Sequence, residues 1–112
     1  MNWLSLESIE QIDTIINKSF EQPQIIFKHS TRCSISSVVK NRLDKNQNPD
    51  KTDFYYLDLI SHRNISNQIA ETFNVPHESP QILLIKNGKC IFEESHSSIY
   101  MEEITDQLAS AN

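Results

Sequence analysis

The stretch Gln24-Ile25-Ile26-Phe27-Lys28-His29-Ser30-Thr31-Arg32-Cys33 decides how this chain is read. Its first half follows Pro23 as a continuous apolar run, the pattern of a strand buried on both faces. Its second half is polar and short, and at Cys33 it opens onto a helical run in which Ile35, Val38, Val39 and Leu43 fall on one stripe. A cysteine at a helix start lies near backbone N–H groups that have no intrahelical partner. Those groups and the helix dipole favour the thiolate, which is the nucleophilic form. Ser36 stands three residues on, where a redox dithiol would place its second sulfur. One activated thiol beside a hydroxyl points to exchange with a sulfur that belongs to another molecule.

Outward from this junction, helical and strand patterns alternate. Ser8 and Gln11 have capping-box spacing, and Ile9, Ile12 and Ile16 carry a helix over about residues 9–19. A polar loop with Pro49 separates the Cys33 helix from an aromatic-rich strand, Phe54 to Ile60. Ile65, Ile69 and Phe73 mark a third helix that ends before Val75-Pro76. Ile82 to Ile85 is a further strand, Asn87-Gly88 a two-residue hairpin turn, and Cys90-Ile91-Phe92 the returning strand. Met101, Ile104, Leu108 and Ala111 define a last helix. The order αβαβαββα describes one α/β domain over residues 1–112, with a mixed sheet of about four strands between helical layers. Sites in such sheets lie beyond the carboxyl ends of the parallel strands, and Cys33 falls at that edge.

The 112 residues suffice for a core without staples, and 22% charged against 38% hydrophobic residues is a globular balance. A net charge of −5 with no basic cluster argues against nucleic-acid binding. Two cysteines are too few for a secreted disulfide scaffold of this size. The first residues have no basic, apolar leader pattern, and no window is long enough to span a membrane, so the expected compartment is the reducing cytoplasm. The four histidines and two cysteines show no metal-ligand spacing, so no metal is expected. Cys90 lies just past the hairpin turn, about 20 Å from Cys33 by strand rise, and is expected to be structural.

The architecture resembles the thioredoxin fold. His77-Glu78-Ser79-Pro80-Gln81, leading into a strand that ends at Lys86-Asn87-Gly88-Lys89, is similar to the thioredoxin segment in which a cis-proline precedes the hairpin. The stretch from Phe27 to Ser36 more closely resembles the monothiol bacilliredoxin (YtxJ-like, bacillithiol-system) family, with its Lys-His-Ser-Thr run and Cys-Pro-Ile-Ser motif. Ser34 stands where that family often has proline, a loss of rigidity in the first helical turn. Phe27 occupies the position at which thioredoxins keep a buried aspartate that serves their second thiol, and here Ser36 replaces that thiol.

The resemblance implies a thiol–disulfide oxidoreductase. Its Cys33 would take bacillithiol from protein mixed disulfides, with bacillithiol itself as thiol co-substrate. The partners implied are bacillithiolated client proteins, with a monomer as the default state. Arg32 and Ser36 are expected to support the thiolate. Thr31, Ser34, Ser79 and Pro80 are expected to border the bound sulfur, with Ser79 backbone pairing a bound disulfide like an added strand. The malate carboxylates of bacillithiol suit a guanidinium fork at Arg32 and, less well, an ammonium at Lys28. His29 either helps to keep Cys33 ionised or simply flanks it. The alternative is a thioredoxin-like stress-response or interaction module in which Cys33 is a modifiable switch without turnover.

Overall fold

The computed structural model describes residues 1–111. Along the chain run β1 (Trp3–Ser5), α1 (Glu10–Lys18), β2 (Gln24–His29), α2 (Ser34–Asp44), β3 (Asp53–Asp58), α3 (Arg63–Phe73), β4 (Gln81–Lys86), β5 (Lys89–Ser95), a 3-10 turn at His96–Ser98, and α4 (Met101–Ser110). The five strands form one sheet in the order β1-β3-β2-β4-β5. β3 is parallel to both β1 and β2, whereas β4 runs antiparallel to β2 and to β5.

The sheet has one strand more than the hydrophobic pattern predicts. β1 is three residues long, too short to show a period, and it is held by its pairing with Phe54 to Tyr56 of β3. Trp3 also stacks on Phe27, with ring centroids 5.5 Å apart, and its indole N–H donates to Asp44 Oδ1 at 2.6 Å. The hairpin is as expected: Asn87 and Gly88 both take positive φ, 53° and 78°, the left-handed pair that a tight two-residue turn requires.

Two cores flank the sheet. On one face Ile26, Tyr55, Leu57, Leu83 and Ile85 pack with Ile12 and Ile15 of α1 and with Ile65 and Ile69 of α3. On the other, Ile25, Phe27, Phe54, Ile82 and Leu84 pack with Val39 and Leu43 of α2 and with Ile104 and Leu108 of α4. β2 is the middle strand, and every one of its residues is buried. Strand pleating therefore sends Lys28 to the α1–α3 face and His29 to the α2–α4 face.

Lys28 is wholly buried, with its Nζ donating to the Ser66 carbonyl at 3.1 Å and lying 3.3 Å from His77 Nδ1. No carboxylate pairs with it among the described residues. Burial pushes its pKa down from 10.5 to about 8. Between those values the unfolded chain binds more protons than the folded one, so this group makes stability rise with pH. Raising the pH from 7.5 to 10 should stabilise the wild type relative to Lys28→Met by on the order of 2 kcal/mol, at 1.36 kcal/mol per pH unit. Urea unfolding of both proteins at the two pH values measures this difference.

Candidate functional site

Cys33 caps α2 in extended conformation, with φ −103° and ψ 119°. Its N–H donates to the Ser30 carbonyl at 3.2 Å, and its own carbonyl accepts from Ser37 N–H at 3.1 Å, which closes the first turn of the helix. The amides of Ser34, Ile35 and Ser36 make no hydrogen bond among the described residues, and the first turn holds no acidic side chain. The half-buried Cys33 thus sits where backbone donors collect without a competing carboxylate. No hydrogen bond from a side chain reaches its sulfur among the described residues.

Thr31, Arg32 and Ser34 surround Cys33 as exposed residues. Arg32 makes no ion pair or hydrogen bond among the described residues, so its guanidinium is open to a ligand. Lys28, weighed above as a second carboxylate site, is closed to that role: it is buried on the opposite face of β2, and its amine is spent on Ser66 and His77.

The hydroxyl of Ser36 faces inward. It accepts from the Ser30 amide at 3.1 Å and lies 2.7 Å from His29 Nδ1. His29 is itself buried and its pKa is lowered, first by burial and then by Lys40, with Asp58 and Asp44 acting in the opposite sense. The sequence pattern missed this pairing because a serine scores as polar. Its spacing of three and seven residues from Val39 and Leu43 nevertheless places it on their buried face. Ile35 and Val38, expected on the core stripe, instead face solvent at 47% and 57% exposure and form an apolar shoulder on α2.

The segment before β4 borders the same edge. The Ser79–Pro80 peptide is cis. The Ser79 backbone N–H and carbonyl make no hydrogen bond among the described residues, and neither does its buried hydroxyl. His96 follows the end of β5 and closes the far side of this segment, with its N–H on the Pro80 carbonyl at 2.9 Å and its ring 3.3 Å from Glu78. A concavity of about 600 Å³ lies at the other end of the sheet against Pro23, Pro49, Thr52 and Leu108, away from Cys33.

Both cysteines are free. Cys90 pairs with Ile85, which in turn pairs across β4 with Gln24 at the start of β2. Cys33 follows the other end of β2, so at least five residues of rise, roughly 17 Å, separate the two sulfurs. A disulfide tolerates a Cα separation of only about 7 Å. Burial pushes the Cys90 thiol up to about 11, and its Sγ is turned onto the Phe92 carbonyl at 3.3 Å.

The two free sulfurs thus lie toward opposite ends of the middle strand β2. The sequence matches the family described as Monothiol bacilliredoxin BrxC over residues 4–104. The chain belongs to that family. A solved structure described as a candidate oxidoreductase with a thioredoxin fold is 30% identical, with 92% of this chain and 90% of that one covered and a TM-score of 0.81. The thioredoxin of Malassezia sympodialis is 18% identical over 98% of this chain and 90% of its own, with a TM-score of 0.73. Mitochondrial thioredoxin 3 of Saccharomyces cerevisiae is 16% identical over 96% and 94%, with a TM-score of 0.74. The last two share the fold. The bacilliredoxin family and the fold together support a thiol redox role for this chain.

The contrast between the cysteines is directly measurable. Iodoacetamide at pH 8 should add one alkyl group to the native protein, at Cys33, and a second at Cys90 only after unfolding in denaturant. Intact-mass and peptide analysis distinguish the two sites, and native labelling of Cys90 would contradict its sequestered state.

Proposed function

We propose that this bacilliredoxin family member removes bacillithiol from protein mixed disulfides in the cytoplasm, using Cys33 as its only nucleophile. The observation that carries the reading is a half-buried cysteine at a helix N-cap, with Ser36 in the position of a second thiol and the other cysteine at the opposite end of β2.

In the first step the Cys33 thiolate attacks the bacillithiol sulfur of the client's mixed disulfide. A new bond forms between that sulfur and Cys33 Sγ, the old disulfide breaks, and the client leaves as a thiolate that takes a proton from water. In the second step the thiolate of another bacillithiol attacks the cofactor sulfur of the Cys33 adduct. Bacillithiol disulfide leaves and the Cys33 thiolate returns, so each bond broken is matched by one formed. The amides left without partners at the start of α2 would favour negative charge on a sulfur held at that helix terminus.

The residues around Cys33 fit a carboxylated thiol substrate. The open guanidinium of Arg32 suits a malate carboxylate, and the exposed hydroxyls of Thr31 and Ser34 supply further hydrogen bonds. The free backbone groups of Ser79 are available to an extended client segment, and the apolar shoulder of Ile35 and Val38 offers that client burial.

Cys33→Ser should abolish turnover of a bacillithiolated client and leave the unfolding midpoint unchanged. Arg32→Ala should raise KM for bacillithiol about five-fold, the worth of one exposed ion pair near 1 kcal/mol, with little change for an uncharged thiol. Release of client thiol, followed by intact mass in the presence of excess bacillithiol, measures both. A single labelling of Cys33 with no second turnover would replace the enzyme reading with a redox switch.

A further inference from the structure

The segment between α3 and β4 carries Ser79 and the cis peptide, yet its own backbone does little to hold it. The amides and carbonyls of His77, Glu78 and Ser79 make no hydrogen bond among the described residues. Its fixed points lie on either side of them. Gln81 Nε2 donates to the Pro76 carbonyl at 3.1 Å, and the His96 N–H donates to the Pro80 carbonyl at 2.9 Å. The Glu78–His96 pair is exposed at both partners, so water and salt weaken it. Inward, the His77 ring meets Lys28 Nζ at 3.3 Å and Ser66 Oγ at 3.2 Å, both through Nδ1.

A protonated amine has three hydrogens and no lone pair. Lys28 gives one hydrogen to the Ser66 carbonyl at 3.1 Å, and its contact with His77 is a bond only when Nδ1 is the bare, accepting nitrogen. The ammonium therefore selects the neutral ring with its proton on Nε2. A second proton on the ring would set N–H against N–H and one positive charge against another at 3.3 Å, beside an amine that water does not reach. The contact and a protonated His77 exclude one another.

We propose that Lys28 is a positioning residue for the segment that pairs with a client, acting through His77. Its ammonium holds the neutral ring, the ring holds the backbone that carries Ser79, and protonation of the ring releases it. The inference rests on the client pairing proposed for Ser79.

The surroundings of Lys28 suit this role. It stands on the middle strand of the sheet, wholly buried, with Gln81 as its partner across β4. Lys28 takes the ring of His77 and Gln81 takes the carbonyl of Pro76, so two paired positions of the sheet grip consecutive residues of the segment. The charged and polar groups facing His77 are Lys28 from β2, Arg63 and Ser66 from α3, and Glu78 from its own segment. Burial, Lys28 and Arg63 lower the pKa of the ring, in that order, and Glu78 opposes them. The ring is accordingly neutral at neutral pH, and its release belongs to acid.

The test uses the reduced, ¹⁵N-labelled full chain. Long-range ¹H–¹⁵N correlation at pH 7.5 should show His77 with its proton on Nε2 and a bare Nδ1. On acidification the Ser79 amide signal should shift with the midpoint of the His77 ring. Kinetics on a bacillithiolated peptide then separate client binding from sulfur chemistry, because iodoacetamide alkylation reads the Cys33 thiolate at each pH. His77→Ala should raise KM for the peptide about ten-fold, the loss of one hydrogen bond to a charged group, with the Cys33 alkylation rate unchanged. His77→Asn carries an amide oxygen that accepts from Lys28 and does not titrate. It should keep the wild-type KM at pH 7.5 and hold that value at pH 5.5, where the wild-type KM rises. A Ser79 amide that ignores the ring's titration, or a His77→Ala KM equal to that of the wild type, overturns the positioning role even in a protein that turns the peptide over. A Ser79 amide that follows the ring in a protein that turns nothing over removes the proposed function and leaves the tether standing.

Discussion

β2 has a paired strand on each edge and helices over each face, so all six of its side chains are buried. A strand in that position is normally apolar throughout, because every polar side chain on it must find a partner away from water. Here the last two residues, Lys28 and His29, break that rule, and the pleat drives them to opposite faces. Each is satisfied by the element that covers it. Lys28 reaches Ser66 of α3 and His77, in the segment that leads to Pro80, whereas His29 reaches Ser36 in the first turn of α2. The two walls of the Cys33 site are thereby tied to neighbouring residues of one strand.

The same constraint accounts for what the middle of the site lacks. Phe27 precedes this polar pair on the α2–α4 face, and Trp3 of β1 stacks on it within an aromatic group that includes Tyr56. Lys40 lies over both Trp3 and Tyr56 and pairs with Asp44, which also accepts from the indole. The short strand β1 is therefore bound to α2 by side chains as well as to β3 by its backbone. The titratable group on this face sits one pleat further along β2, at His29, directly beneath the turn that holds Cys33.

Much of this was legible in the sequence, and the exceptions have physical causes. A helix beginning at Cys33 followed from the change from apolar run to amphipathic run, and the Asn87-Gly88 turn followed from residues that tolerate positive φ. β1 was not legible because a three-residue edge strand is specified by its partner and not by its own pattern. The stripe on α2 was misjudged because Ile35 and Val38 look like core residues by type, while the buried face is set by Ser36, Val39 and Leu43. Lys28 looked like a surface cation because residue type implies exposure. Its position on the middle strand overrides that expectation.

The wide separation of the two sulfurs has a consequence for the oxidised protein. Once Cys33 is joined to another sulfur it has no internal route of escape, since Cys90 is at the far end of β2, beyond disulfide reach. The lifetime of that adduct is then governed by how often a small thiol arrives from outside. At any moment the fraction of molecules left capped is a gauge of the surrounding thiol supply, a property that a chain with its own resolving sulfur would lose.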